Sequence, residues 1–337
     1  MIPHYDFLAL TCRHEWLLEP FTYDLADGTR VQVWDTGVLC LEPPPERCGK
    51  KDIVLSCGVH GNETAPIEIC NHLLTRLLSG ELVARQRVLF LFGNPAAINL
   101  GVREVAENLN RLFSGAHSKG EGQCNRERTR AMALEQYVSR FFTDPARPRY
   151  HYDLHTAIRG SRYEKFAVYP FLHQRGHDQA QVQFLGACGV RTILLSNAPT
   201  TTFSYYSSHQ HGAHAFTIEL GQVRPFGEND MTRFVDISHT LQALITQDDI
   251  LLAPWHADDF KLFAIDRVLH KKTSDFRFLF AQDADNFTEF PQGFLLAEDG
   301  ELRYCVEKNH EAIVFPNANV AIGQRTLLLV TPTQLWR

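Results

Sequence analysis

Residues 52–78, DIVLSCGVHGNETAPIEICNHLLTRLL, decide how the chain is read. The apolar run Ile53-Val54-Leu55-Ser56-Cys57 has the length and composition of a buried strand. Gly58-Val59-His60-Gly61-Asn62-Glu63 ends it. Pro66 then opens a pattern in which Ile67, Cys70, Leu74, Leu77 and Leu78 recur at helical spacing, until Ser79-Gly80 stops the run. His60 and Glu63 therefore stand where a strand hands over to a helix, the rim at which open α/β sheets hold their ligands. An imidazole and a carboxylate so spaced can turn toward one cation, and zinc takes both donor types while keeping a position open in catalytic sites. His-x-x-Glu alone is a short motif that also arises as a solvated pair. Gly58 and Gly61 flank His60 and favour the metal reading, because they allow a tight backbone path that a β-carbon would obstruct.

Outward from this unit, residues 87–92 followed by Gly93-Asn94-Pro95 read as a second buried strand. Strand, helix and strand make a βαβ unit and imply a parallel or mixed sheet. The polar segment 96–130 is too long for a plain connector. Arg103, Asn108, Asn110 and Arg111 lie close together in it, and arginine forks suit carboxylates. Arg126, Arg128 and Arg130 read instead as the opening of a helix over 127–142. Residues 150–156, YHYDLHT, predict a third strand with Asp153 and His155 on one face at its C-terminal end, the same rim. His155 is thus the candidate third ligand, with Asp153 able to orient it, while His151 reads as a structural histidine.

Strands are expected at 166–171 and 190–196 with a helix between them, then a polar aromatic loop over 197–213. His209 and His211 in that loop read as pocket-lining or solvated. The strand 215–221 carries Glu219 among apolar residues. A glutamate in such company is paired or functional. Burial raises its pKa toward neutrality, which suits a general base that later acts as acid. The structural alternative is a carboxylate bonded to backbone or Arg224. A helix over 228–246 closes this part, and short strands from Leu251 onward suggest a small all-β domain or barrel. At the other end, Asp27-Gly28 marks a hairpin within an N-terminal lead-in, residues 1–51.

The chain has 337 residues, more than the ~250–300 that one core usually serves, so two domains are expected, 1–248 and 249–337. A net charge of −6 disfavours a nucleic-acid binder. No run approaches the ~18 apolar residues of a membrane span, and the first residues lack the apolar core of a secretory signal. Eight cysteines without a C-x-x-C pair read as free thiols, which suits the cytoplasm. Neither G-x-G-x-x-G nor a P-loop lysine follows the first strand, which disfavours a nucleotide-binding protein. Oligomeric state is not legible.

With His60, Glu63, His155 and Glu219 placed, the chain resembles the M14 zinc carboxypeptidase superfamily, and within it the succinylglutamate desuccinylase/aspartoacylase family. The matching residues are Gly58-Val59-His60-Gly61-Asn62-Glu63-Thr64, Asn94-Pro95-Ala96-Ala97, Asn108-Leu109-Asn110-Arg111, Asp153-Leu154-His155-Thr156 and Thr217-Ile218-Glu219-Leu220-Gly221, spread over most of residues 50–225. The resemblance implies an α/β fold: a zinc-carboxypeptidase-like mixed sheet flanked by helices, with a smaller C-terminal all-β domain that narrows access to the site. It implies one zinc per subunit held by His60, Glu63 and His155, with Glu219 as the base. Asn110 and Arg111 match a pair that binds substrate carboxylate, and Arg103 aligns with an arginine that polarises the scissile carbonyl. The implied partner is a small acylated amino acid. The N-terminal lead-in and the run NPAAINLGVREVAENLNRLF favour N-succinyl-L-glutamate, cleaved to succinate and L-glutamate as the last step of arginine degradation by the succinyltransferase route. The alternative is an aspartoacylase or another N-acyl-amino-acid deacylase. The late segment EAIVFPNANVAIG lacks the substrate-binding tyrosine of aspartoacylases.

Overall fold

In the computed structural model, which describes residues 1–120 and 124–335, all six residues of the decisive strand Asp52–Cys57 are buried. Residues 121–123 of the polar segment 96–130, and the last two residues of the expected C-terminal domain, lie outside the described residues. Burial on both faces is what a central strand covered by helices requires, and it explains why the segment is continuously apolar. In chain order the strands are β1 (Phe21–Asp24), β2 (Arg30–Asp35), β3 (Val38–Glu42), β4 (Asp52–Cys57), β5 (Arg87–Phe92), β6 (Arg149–Ala157), β7 (Phe166–Tyr169) and β8 (Thr192–Leu195). They continue as β9 (His214–Gln222), β10 (Lys261–His270), β11 (Arg277–Phe278), β12 (Thr288–Glu289), β13 (Leu295–Asp299), β14 (Leu302–Cys305), β15 (Ala312–Val314) and β16 (Arg325–Pro332). The helices are α1 (Phe7–Arg13), α2 (Thr64–Leu78), α3 (Pro95–Leu100), α4 (Arg126–Phe141), α5 (Gln179–Ala187), α6 (Phe203–His211) and α7 (Val235–Thr246).

One sheet runs β1-β2-β3-β5-β4-β6-β9-β7-β8-β10-β16-β15-β12. Its centre, β5-β4-β6-β9, is parallel, β7 is antiparallel to β9, and β1-β2-β3 form a meander at one edge. The sheet is therefore mixed, as expected for an α/β fold. Helices α2, α5 and α7 cover one face through Ile67, Leu74, Val182, Leu241 and their neighbours. Helices α4 and α6 cover the other through Leu134, Val138, Phe203 and Tyr206. In β6 and β9 the residues facing α2 and α5 include Leu154 and Ile218. Alternation sends Asp153, His155 and Glu219 to the opposite face.

The structure differs from the expectations in four places. The lead-in contains α1, whose Asp6 caps Ala9 N. The segment after β5 begins with α3, capped by Asn94 and stopped by Gly101 at φ 64°. The polar aromatic loop over 197–213 contains α6: Thr202 caps it and Gly212 ends it at φ 65°. Its aromatics turn inward, with Phe203 stacked on Phe113 at 4.2 Å. Hydroxyl-rich, aromatic composition reads as loop in isolation, and tertiary packing overrides it. Finally, the C-terminal strands divide. Strands β10, β16, β15 and β12 extend the main sheet through the parallel pairing of β10 with β8, whereas β11, β13 and β14 form a separate three-stranded sheet. That small sheet joins β10, β15 and β16 through a cluster of Leu269, Leu296, Val306, Ile313, Leu327 and Leu329.

Candidate metal centre

Strand β4 ends at Cys57, and Gly58 takes φ 63°, where a side chain would press on Ile98. Gly61 is held for a different reason: a β-carbon there would lie 2.0 Å from the Ala97 carbonyl carbon. The loop thus leans directly on α3, which turns His60 and Glu63 inward over the end of the sheet. Both are buried, as is His155 at the end of β6.

One carboxylate gathers the site. Glu63 Oε1 lies 2.8 Å from His60 Nδ1 and accepts from Arg103 Nη1 at 2.7 Å. Glu63 Oε2 lies 2.8 Å from His155 Nδ1 and accepts from Thr156 N at 3.1 Å. One ligand atom from each of His60, Glu63 and His155 falls within 4.8 Å of the other two. The outward nitrogens are also engaged: His60 Nε2 is 3.1 Å from Asn108 Oδ1, and His155 Nε2 is 2.9 Å from Asp153 Oδ2. Asp153 Oδ1 accepts from Ser56 Oγ at 2.5 Å. His151 is wedged between Ser56 Oγ at 2.8 Å and Ser207 Oγ at 2.7 Å, a structural histidine as read from the sequence.

This donor set fits a divalent cation. Carboxylate and amide oxygens at both Nε2 atoms hold each ring with its Nε2 proton outward and its Nδ1 lone pair inward. In that ligating form both inward lone pairs would face oxygens of one anionic carboxylate, an arrangement that a shared cation relieves. The electrostatics separate the two rings: burial works to lower His155, but Asp153 and Glu63 hold it well above its usual range, so it gives up a proton when a cation binds. Burial pushes His60 down to about 4, so its ring is neutral and able to ligate. Burial works to raise the Glu63 carboxyl, but His60 and His155 hold it well below the usual range.

Glu219 is the Cα partner of His155 on the neighbouring strand β9. Its Oε2 is buried without a hydrogen-bond partner among the described residues. Burial first, then the Glu63 charge, raise its carboxyl to about 7. The structural alternative, bonding to Arg224, is not what the fold shows: Arg224 instead offers its carbonyl oxygen to Thr64 Oγ1 at 2.7 Å. Arg103 is partly exposed at the mouth, and Nη1 is its only nitrogen with a protein acceptor among the described residues.

Asn110 and Arg111 sit in a short 3-10 turn, Leu109–Arg111. Asn110 Oδ1 accepts from Phe203 N at 2.9 Å and so ties this turn to the start of α6. Arg111 donates to the Asn110 carbonyl at 2.9 Å, forms no ion pair among the described residues, and is pushed down to about 10 by burial and by Arg103. His209 and His211 stay apart from the site: His209 stacks on Tyr205 at 5.4 Å, and His211 meets Ser139 Oγ at 3.2 Å.

Two participants escape sequence reasoning. Asn108 stands in the polar cluster and in the family motif without a role of its own, yet it holds His60. Arg325, at the start of β16, lies near enough to Arg103, Arg111 and Glu219 for their charges to act on it, and burial with those two cations pushes it down to about 9. No local pattern marks Arg325, because its neighbours come from far along the chain.

The family profile described as the succinylglutamate desuccinylase/aspartoacylase catalytic domain matches residues 49–245, and the barrel-sandwich hybrid domain of the same family matches residues 258–333. The chain is 54% identical over 328 residues to a succinylglutamate desuccinylase of Shewanella piezotolerans, covering 96% of this chain and 95% of the relative. Among solved structures, a succinylglutamate desuccinylase from Chromobacterium violaceum superposes with TM-score 0.85 at 38% identity, covering 98% of each chain. One from Vibrio parahaemolyticus gives TM-score 0.86 at 34% identity, over 97% of this chain and 95% of the other. An aspartoacylase family protein from Mesorhizobium loti, 16% identical with TM-score 0.55, shares the fold. The chain belongs to the succinylglutamate desuccinylase/aspartoacylase family.

Proposed function

We infer that the protein hydrolyses the amide bond of N-succinyl-L-glutamate, releasing succinate and L-glutamate, with one zinc ion held by His60, Glu63 and His155. The observation that carries the reading is the convergence of these three ligand atoms beside the unpartnered Oε2 of Glu219. Relatives bearing the desuccinylase name over nearly the whole chain support the choice of substrate. When bound, the cation supplies Lewis acidity, which polarises the scissile carbonyl and acidifies water.

The chain's own groups do the rest. Glu219 takes a proton from the attacking water as the new carbon–oxygen bond forms. It then delivers that proton to the amide nitrogen as the carbon–nitrogen bond breaks, so both fragments leave balanced. Arg103, at the mouth, stabilises the negative charge that builds on the carbonyl oxygen, where a fixed cation is worth several kcal/mol. Asn110 and Arg111 hold a substrate carboxylate, and Asp153 keeps His155 in the ligating tautomer. We read residues 1–248 as the catalytic domain and 249–337 as a β domain that narrows the entrance. No described helix is long and apolar enough to cross a membrane. All eight cysteines are free, which suits the reducing cytoplasm, and the partner is a small acylated amino acid rather than nucleic acid.

The test is a substrate panel with metal-loaded and metal-stripped enzyme. N-succinyl-L-glutamate should give the higher kcat/KM against N-acetyl-L-aspartate, chelation should abolish turnover, and zinc should restore it. A preference for N-acetyl-L-aspartate, or turnover that ignores the chelator, would overturn the reading.

A further inference from the structure

Three guanidinium groups gather near one acidic carboxyl, and only one of them is neutralised. Arg103 is paired with Glu63 at 2.7 Å, but Arg111 and Arg325 have no ion-pair partner among the described residues. Partly buried like charges left together are costly unless an anion joins them. The sheet explains where Arg325 sits. Strands β6, β9 and β7 are neighbours, so His155 flanks Glu219 on one side and Phe166 on the other. Phe166 lies directly opposite Glu219 in an antiparallel pair, hence on the same face. The Phe166 ring touches Phe315 with centroids 5.5 Å apart, and the Arg325 guanidinium lies 5.5 Å from the Phe315 centroid. Arg325 therefore approaches the site from the β7 side of Glu219. Arg111 approaches from the His60 side, through the turn in which Asn108 holds His60.

A substrate whose central amide lies at Glu219 and whose two ends both carry carboxylates needs a cation on each side. We propose that Arg325, lying over the Phe315 ring and supplied by the C-terminal strands, binds the distal carboxylate of the succinyl group and so selects dicarboxylic over monocarboxylic acyl chains. This rests on the proposed amide-hydrolase reading and assigns one end of its substrate. A cation lying over an aromatic ring is held near it, and a guanidinium so held keeps nitrogens for a two-point carboxylate contact. Phe315 itself adopts φ 54°, so the backbone turns sharply just where the ring is presented.

The experiment compares N-succinyl-L-glutamate with N-butyryl-L-glutamate, which keeps the amide, the glutamate and the chain length but lacks the distal carboxylate. For Arg325→Gln, kcat/KM on the succinyl substrate should fall about 10- to 100-fold, mainly through KM, as expected for losing a charged hydrogen bond. The butyryl substrate should change less than about threefold, with metal content and melting temperature preserved. Arg325→Lys should recover part of the loss, since lysine keeps the charge without the fork, and it carries the comparison if Arg325→Gln does not fold. Equal losses on both substrates, or no loss on either, would overturn the assignment. If the wild-type enzyme cleaves neither substrate, the hydrolase reading fails. Calorimetric binding of succinate then decides the inference alone: tenfold weaker binding by Arg325→Gln supports it, and equal affinity overturns it.

Discussion

In the proposed mechanism Glu219 has to be an anion to take a proton, yet its surroundings favour the neutral acid. Burial and the nearby Glu63 raise its carboxyl to about 7. Below that pH the base is protonated, so kcat/KM should rise with pH along an acid limb and level off once the carboxylate predominates. A bound cation in the same site pulls in the opposite direction, so the limb should fall at or below about pH 7. Glu219→Gln keeps the shape and removes the base. It should retain metal while kcat falls about 10²- to 10⁴-fold, checked by metal analysis beside steady-state kinetics. Asp153 acts one step further out, through the 2.9 Å contact to His155 Nε2. Asp153→Asn should weaken metal binding about 10- to 100-fold, measured by competition with a chelating dye.

At the scale of elements, the turn between β4 and α2 was legible because glycine, histidine, asparagine and glutamate interrupt two clean apolar patterns. What the pattern did not disclose is why Gly61 must be glycine: its backbone lies against the Ala97 peptide at the start of α3. Gly61→Ala should therefore destabilise the protein by about 1–3 kcal/mol, as overpacking does, seen as a lower urea midpoint at unchanged slope. The same variant should bind metal less tightly, because His60 rides on that turn. Helix α6 was missed because residues such as Ser204, Ser207 and His209 resemble a loop. Its place is set by Phe203 and Tyr206 packing under the sheet and by Asn110 accepting from Phe203 N.

For the molecule as a whole, the expected β domain shares a sheet with the catalytic part. Strand β10 pairs with β8 from Lys261↔Thr192 to Ala264↔Leu195, and Phe166 and Leu194 share a cluster with Phe263, Ile265 and Val330. Removing residues 249–337 would bare the β8 edge and leave Phe166 and Leu194 without the seven buried partners that complete their cluster, and an exposed apolar edge invites aggregation. A fragment of residues 1–248 should elute as aggregate in size-exclusion chromatography, and urea unfolding of the full chain should give coincident curves by fluorescence and circular dichroism. A monomeric, metal-binding fragment would show that the two parts fold independently.

By itself the sequence determined the α/β class, the strand-to-helix turn at His60 and Glu63, and the presence of His155 and Glu219 at strand ends. Those are local matters, written in apolar period and in the breaks that interrupt it. The tertiary structure alone decided that Asn108 meets His60, that the C-terminal strands continue the main sheet, and that Arg325 reaches the neighbourhood of Glu219 from more than a hundred residues away. The reason is physical: periodicity reports which face of an element is buried, whereas side-chain partners depend on how distant elements stack, and no local pattern encodes that distance.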